Sequence, residues 1–162
     1  MTDGPAISPC LWFDANAEEA VGFYMSVFDD SRILRVARYG EGGPGPVGAV
    51  MTIEFDLDGR RFIALNGGPA FHFTEAVSLV VSCGTQEEID RYWERLSEGG
   101  EKRACGWLKD RFGLSWQIVP RALATMMEDV DAARSGRVMQ AMLSMTKLDL
   151  ATLIEAYNAA RA

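Results

Sequence analysis

Two stretches of this chain, Asp14-Ala-Asn-Ala-Glu-Glu-Ala-Val-Gly-Phe-Tyr24 and Cys83-Gly-Thr-Gln-Glu-Glu-Ile-Asp-Arg-Tyr-Trp93, carry one pattern twice. Each has a polar cap residue (Asn16, Thr85), a Glu three positions later (Glu19, Glu88) and a closing aromatic pair (Phe23-Tyr24, Tyr92-Trp93). An apolar run precedes each copy. The spacing predicts a capping box, in which the cap side chain accepts from the amide three residues on and the Glu reaches back. Ala17, Ala20, Val21, Tyr24 and Phe28 then recur at helical spacing and form one apolar stripe. A duplicated strand–helix unit decides the fold, and it places the expected site between the two copies.

Outward from the helices, the apolar runs read as strands. In the first copy these are residues 7–13, 31–39, 47–57 and 60–66, with Asp58-Gly59 as a two-residue hairpin turn that needs positive φ. A loop at 40–46, six of whose seven residues are Gly or Pro, separates the second and third and reads as mobile. The second copy offers strands at 75–83, 102–108 and 114–119 around a helix at 86–98, which Gly99-Gly100 stops. Phe112-Gly113 repeats the place of Asp58-Gly59. The expectation is an α+β fold in one domain: a βαβββ module over 7–66, a second over 75–119, and a helical extension over 120–162. The extension reads as helices at 121–127, 132–145 and 148–160, packed through Met126, Met127, Met139, Met142 and Met145.

Composition narrows the function. The chain has 162 residues, 48% of them hydrophobic, and a net charge of −7. That acidity argues against a nucleic-acid surface, which needs clustered Lys and Arg. No apolar run is long enough to span a membrane, and the N-terminus lacks the basic start of a signal peptide. Three cysteines without CxxC spacing, Cys10, Cys83 and Cys105, read as reduced thiols in a cytoplasmic protein.

Several longer motifs sharpen the picture: Pro9-Cys-Leu-Trp-Phe-Asp14, Ala64-Leu-Asn-Gly-Gly-Pro69, Cys105-Gly-Trp-Leu-Lys-Asp110, Ser115-Trp-Gln-Ile-Val-Pro120 and Arg137-Val-Met-Gln-Ala-Met142. With the duplicated helix, they make the chain resemble the vicinal oxygen chelate superfamily of glyoxalase I, extradiol dioxygenases and bleomycin-resistance proteins. Within it they resemble the PhnB-like branch, whose members often carry the name 3-demethylubiquinone-9 3-methyltransferase. The resemblance implies a homodimer and a small-molecule cup on the sheets. Metal-dependent members place His, Gln or Glu on four strands. That pattern falls here on Pro9 or Cys10, on Ala64 or Asn66, on Glu75 or Ala76, and on Gln117. The only histidine, His72, lies in the crossover between modules. The expectation is therefore a site without a metal or other cofactor.

Alternation along the strands predicts a cup lined by Cys10, Trp12, Asn66, Trp107 and Gln117, with Lys109 as a further polar group facing a ligand. No histidine stands within sequence reach of Cys10, which reads as a small packed side chain, although Arg103 or Lys109 could approach its thiol. Amide, thiol and indole groups suit an uncharged or planar ligand. The leading expectation is thus a metal-free small-molecule binding protein. The alternatives are a metal-assisted lyase, isomerase or oxygenase, the methyltransferase of the family name, and a regulatory partner acting through the helical tail. The glycine-rich segments lie between strand-like runs, whereas a common S-adenosylmethionine site needs one between a strand and a helix.

Overall fold

Both predicted helices form, α1 (Ala17–Val27) and α2 (Gln86–Ser97), and each lies against its own four-stranded sheet. The computed structural model describes residues 5–159. They divide into two compact units at residues 73 and 74. The first sheet contains β1 (Cys10–Phe13), β2 (Ser31–Arg38), β3 (Val50–Leu57) and β4 (Arg60–Asn66), in the order β1-β4-β3-β2. The second contains β5 (Ser78–Cys83), β6 (Glu101–Lys102), β7 (Trp107–Lys109) and β8 (Ser115–Pro120), in the order β5-β8-β7-β6. In each unit the first strand pairs parallel with the last, and the other pairings are antiparallel. The two sheets therefore share one topology, and the duplication is one of architecture: an α+β fold of two βαβββ units.

The apolar stripes explain which face each helix covers. In the first unit Ala17, Ala20, Val21, Tyr24 and Val27 are buried with Ile53, Phe55, Phe62 and Ala64. Phe55 and Phe62 are cross-strand partners with ring centroids 5.6 Å apart. In the second, Ile89, Trp93 and Leu96 are buried with Leu108, Trp116 and Ile118. Burying each such large side chain contributes about 1.5–3 kcal/mol. Asp58 and Gly59, at φ of 49° and 71°, form the expected tight hairpin.

Two local expectations are corrected. Only the second capping box forms: Thr85 accepts from the Glu88 amide at 3.3 Å, while Glu88 accepts from the Gly84 amide at 2.6 Å. Asn16 makes no side-chain cap bond, because the first amide of α1 is taken by a residue from another strand, described below. The single strand expected at 102–108 is split into β6 and β7. Cys105 and Gly106, at φ of 59° and 79°, turn the chain between them. The Gly/Pro loop is exposed along most of its length and is anchored at one point: Tyr39, just before it, is buried, and a Cβ on Gly45 would fall 2.4 Å from its ring.

The extension forms α3 (Ala122–Met127), α4 (Ala132–Leu143) and α5 (Leu150–Asn158). Leu123, Met126, Val138, Leu148 and Leu153 make a small core, with Met127, Met142 and Met145 against it. Met139 departs from the expected packing role and is 38% exposed. Backbone hydrogen bonds of 2.8 Å run from Cys105 to Met145 and from Gly106 to Thr146. Gln86 accepts from the Leu150 amide at 2.8 Å and donates to the Leu148 carbonyl at 3.2 Å. No helix among the described residues is long and apolar enough to cross a membrane.

Gly106 is the tightest point of this junction. A Cβ there would lie 2.7 Å from the Ile118 carbonyl oxygen and 3.1 Å from Leu148, on a backbone already at positive φ. Gly106→Ala should lower unfolding free energy by about 2–4 kcal/mol in urea titrations. A loss under about 0.5 kcal/mol would show that the turn is not a fixed packing point.

Candidate functional site

In each unit one sheet face meets the helix and the other turns away from it. Register decides which side chains share the second face. In the first unit Cys10 aligns with Ile63 and Trp12 with Leu65, so Cys10 and Trp12 lie there together, as expected. Asn66 aligns with Phe13 and lies on the helix side. Its amide is engaged at both ends: Oδ1 accepts from the Ala17 amide at 2.8 Å, and Nδ2 donates to the Val50 carbonyl at 3.0 Å. The Tyr39 hydroxyl donates to its backbone carbonyl. Asn66 thus caps α1 from a neighbouring strand and holds the loop residue Tyr39. Asn66 also forms part of the wall of a cavity of about 430 Å³, with Asp14, Glu18, Arg38 and Tyr39.

Trp12 is half-buried and already partnered. Its indole Nε1 donates to the Gly68 carbonyl at 2.9 Å, and Phe71 meets it edge-on at 4.9 Å between centroids. Gly67 lies so close to the indole that a Cβ would fall 2.3 Å from the ring. Cys10 is exposed rather than packed. Partial desolvation of its thiol raises its pKa, which disfavours the thiolate and with it nucleophilic chemistry. Ile63 and Leu65 lie beside them, and farther along this face ion pairs form: Asp56 pairs with Arg32 at 3.1 Å and with Arg61 at 3.4 Å, and Glu54 pairs with Arg35.

The second unit brings its two expected residues together. Trp107 of β7 and Gln117 of β8 are direct cross-strand partners, with Val80 of β5 on the other side of Gln117. Gln117 Nε2 donates to the Ser78 hydroxyl at 2.9 Å. The neighbouring row on the same face is Ser78, Ser115, Lys109 and Glu101, one residue per strand. Glu75 Oε1 accepts from Lys109 Nζ at 2.9 Å and from Arg103, whose other nitrogen pairs with Glu101 at 3.0 Å. The hydrogen bond from Lys109 is the main cause that lowers the Glu75 pKa to about 2. Lys109 and Arg103 were singled out in the sequence, but the network that joins them to Glu75 has no sequence signature.

These residues do not fit a divalent metal. Asn66 has both ends of its amide engaged, Glu75 is paired with two cations, His72 is exposed in the crossover, and Gln117 alone does not make a ligand set. Among the described residues no three His, Cys, Asp or Glu side chains gather into a ligand set. The two glycine-rich stretches each join a strand to a strand: one links β2 to β3, and the other follows β4 on the way to β5.

The family described as 3-demethylubiquinone-9 3-methyltransferase matches residues 5–119. A solved Bacillus cereus protein, described as a putative 3-demethylubiquinone-9 3-methyltransferase and PhnB protein, is 38% identical with a TM-score of 0.65. That match covers 72% of this chain and 99% of the other. The chain belongs to this PhnB-like family of the vicinal oxygen chelate superfamily. A Pseudomonas aeruginosa protein with 20% identity shares the fold at a TM-score of 0.59, over 72% of this chain and 98% of its own. So does the fosfomycin resistance protein FosX of Listeria monocytogenes, solved with Mn(II) and sulfate, at 13% identity and 0.51, over 77% of this chain and 99% of that one. No curated protein matches. The family match stops at residue 119, so the motif at 137–142 and all three C-terminal helices lie beyond it.

Two measurements check this geometry. Asn66→Ala removes both buried side-chain bonds and should cost about 2–3 kcal/mol of stability in chemical denaturation. A cost near zero would mean that Asn66 is not the cap of α1. Because the folded pKa of Glu75 is depressed, its pairing stabilises the fold above the ordinary value of 4.5 and is lost as pH falls through about 2. A carboxyl NMR titration of Glu75 should therefore show a midpoint near 2, and a midpoint at 4.5 would disprove the ion triad.

Proposed function

We propose that this PhnB-like protein is a metal-free small-molecule binder that presents ligands with the second faces of its sheets. The observation that carries this reading is the direct pairing of Trp107 with Gln117, which sets a half-buried indole beside an amide on one sheet. An indole offers a large apolar plane, and an amide fixes the orientation of a polar edge. Cys10 and Trp12 supply comparable groups on the first unit. Asn66 acts there by positioning, since its own amide groups hold α1 and β3. The fully engaged Asn66 amide and the paired Glu75 support a site without metal. The family name would instead make the chain an S-adenosylmethionine-dependent enzyme, and the strand-to-strand placement of both glycine-rich segments speaks against the common form of that site.

We also propose a two-fold homodimer in the cytoplasm. In support, each sheet ends in strands with one partner only, β1 and β2 in the first and β5 and β6 in the second. Sedimentation at micromolar concentration should give twice the 17.8 kDa chain mass.

Purified protein should carry no near-stoichiometric Fe, Mn, Ni or Zn and gain no activity from them. Calorimetry should detect no S-adenosylmethionine binding. In a screen of planar small molecules, Trp107→Ala should weaken the hits by about ten-fold or more, as loss of a buried aromatic contact does. Hits indifferent to Trp107→Ala, or a tightly held metal, would overturn the reading.

A further inference from the structure

Glu75 lies before β5, at the edge of its sheet, yet its carboxylate meets Lys109 on β7. Two strand spacings separate those strands, about 10 Å. The extended side chains of Glu75 and Lys109 therefore meet over the row formed by Ser78, Ser115 and Lys109. There the Glu75 oxygen takes hydrogen bonds from an ammonium and a guanidinium at once. Between the two ends of that row lies Ser115. It is 1% exposed, and its hydroxyl is buried without a hydrogen-bond partner. A buried orphan hydroxyl costs about 1–3 kcal/mol, so its retention needs a reason. Register puts it on the face that carries Lys109 and Gln117.

We propose that Lys109, Arg103 and Ser115 form a subsite for the anionic group of a small-molecule ligand, a carboxylate or a phosphoryl-type oxyanion, which Glu75 fills as an internal stand-in. The inference rests on the small-molecule reading above and adds the ligand's charge. A ligand oxyanion replaces the Glu75 carboxylate on the two cations and accepts the hydrogen bond that Ser115 has free. A ligand carboxylate leaves the two cations with the same charge balance as Glu75 does, and a phosphoryl group brings up to one further negative charge against the two positive ones. Trp107 and Gln117, one row along, then face the body of the ligand. Glu75 is 44% exposed, so it has room to swing out. No bond is made or broken.

Inorganic phosphate and benzoate serve as probes, titrated into isotope-labelled protein while the amides of Lys109, Ser115 and Gln117 are followed. Glu75→Gln and Glu75→Ala, each checked for folding by circular dichroism, should bind both probes at least about ten-fold more tightly than the parent, because the charge-assisted competitor is gone. Adding Ser115→Ala to either should reverse about three-fold of that gain, the worth of one modest hydrogen bond. Trp107→Ala should weaken benzoate and leave phosphate unchanged. Equal affinity in the parent and both Glu75 variants overturns the proposal, as do shifts spread over surface Arg and Lys residues. A Glu75-dependent gain with benzoate indifferent to Trp107 supports the subsite and overturns the planar-ligand reading. Trp107-dependent benzoate binding without any Glu75 effect does the reverse.

Discussion

One buried amide organises the first unit. Asn66 ends the last strand, and from there its side chain caps the helix, ties the neighbouring strand through Val50 and, through its carbonyl, receives the Tyr39 hydroxyl. Each of these groups would otherwise be a buried backbone or side-chain dipole without a partner. The helix then needs no cap of its own, which releases Asn16 from that role. The Gly/Pro loop gains a fixed end, since Tyr39 is the post against which Gly43 and Gly45 pack. The second unit has Pro120 at the equivalent position, paired with Cys83 as Asn66 is with Phe13. Proline offers no such side chain, so there Thr85 caps its own helix.

The two copies share a frame and differ in what they attach to it. Ala17 and Val21 of α1 are buried apolar contacts, whereas the matching positions of α2 are Gln86 and Asp90. Those two polar residues hold the extension. Gln86 bonds both faces of the Leu148–Leu150 backbone, and Asp90 pairs with Lys147 at 2.7 Å. The sheet faces diverge as well. Beside Cys10 and the Trp12 indole, the first carries compact ion pairs around Asp56 and Glu54. The second carries an indole, an amide, an orphan hydroxyl and a carboxylate held by two cations.

Much of this was legible in the sequence, for physical reasons that differ by element. The helices announced themselves through apolar spacing and a buried aromatic, Tyr24 or Trp93, at the same place in each copy. The sheets followed from alternation and from Asp58-Gly59, whose turn has few alternatives. Alternation also put Cys10 with Trp12. It failed for Asn66, one residue out of phase, because periodicity gives a face only when the register of the pairing strand is known. Nothing in the run 102–108 signalled the break except Gly106, since Cys105 takes a left-handed backbone that its residue type does not favour. The exposure of Cys10 and the reach of Glu75 depend on tertiary placement, which local pattern does not encode.

The extension is joined to the second unit mainly through its backbone. Amides of Cys105, Gly106 and Leu150 cross the junction, and the acceptors include the carbonyls of Met145 and Thr146 and the side chain of Gln86. Main-chain bonds do not depend on the identity of the tail's exposed side chains, whereas Gln86 and Leu148 are fixed by the junction. The junction also couples the turn at Cys105 to the start of α5. In native-state hydrogen exchange those amides would behave as one cooperative unit, with the tail peeling away before the sheet that carries it.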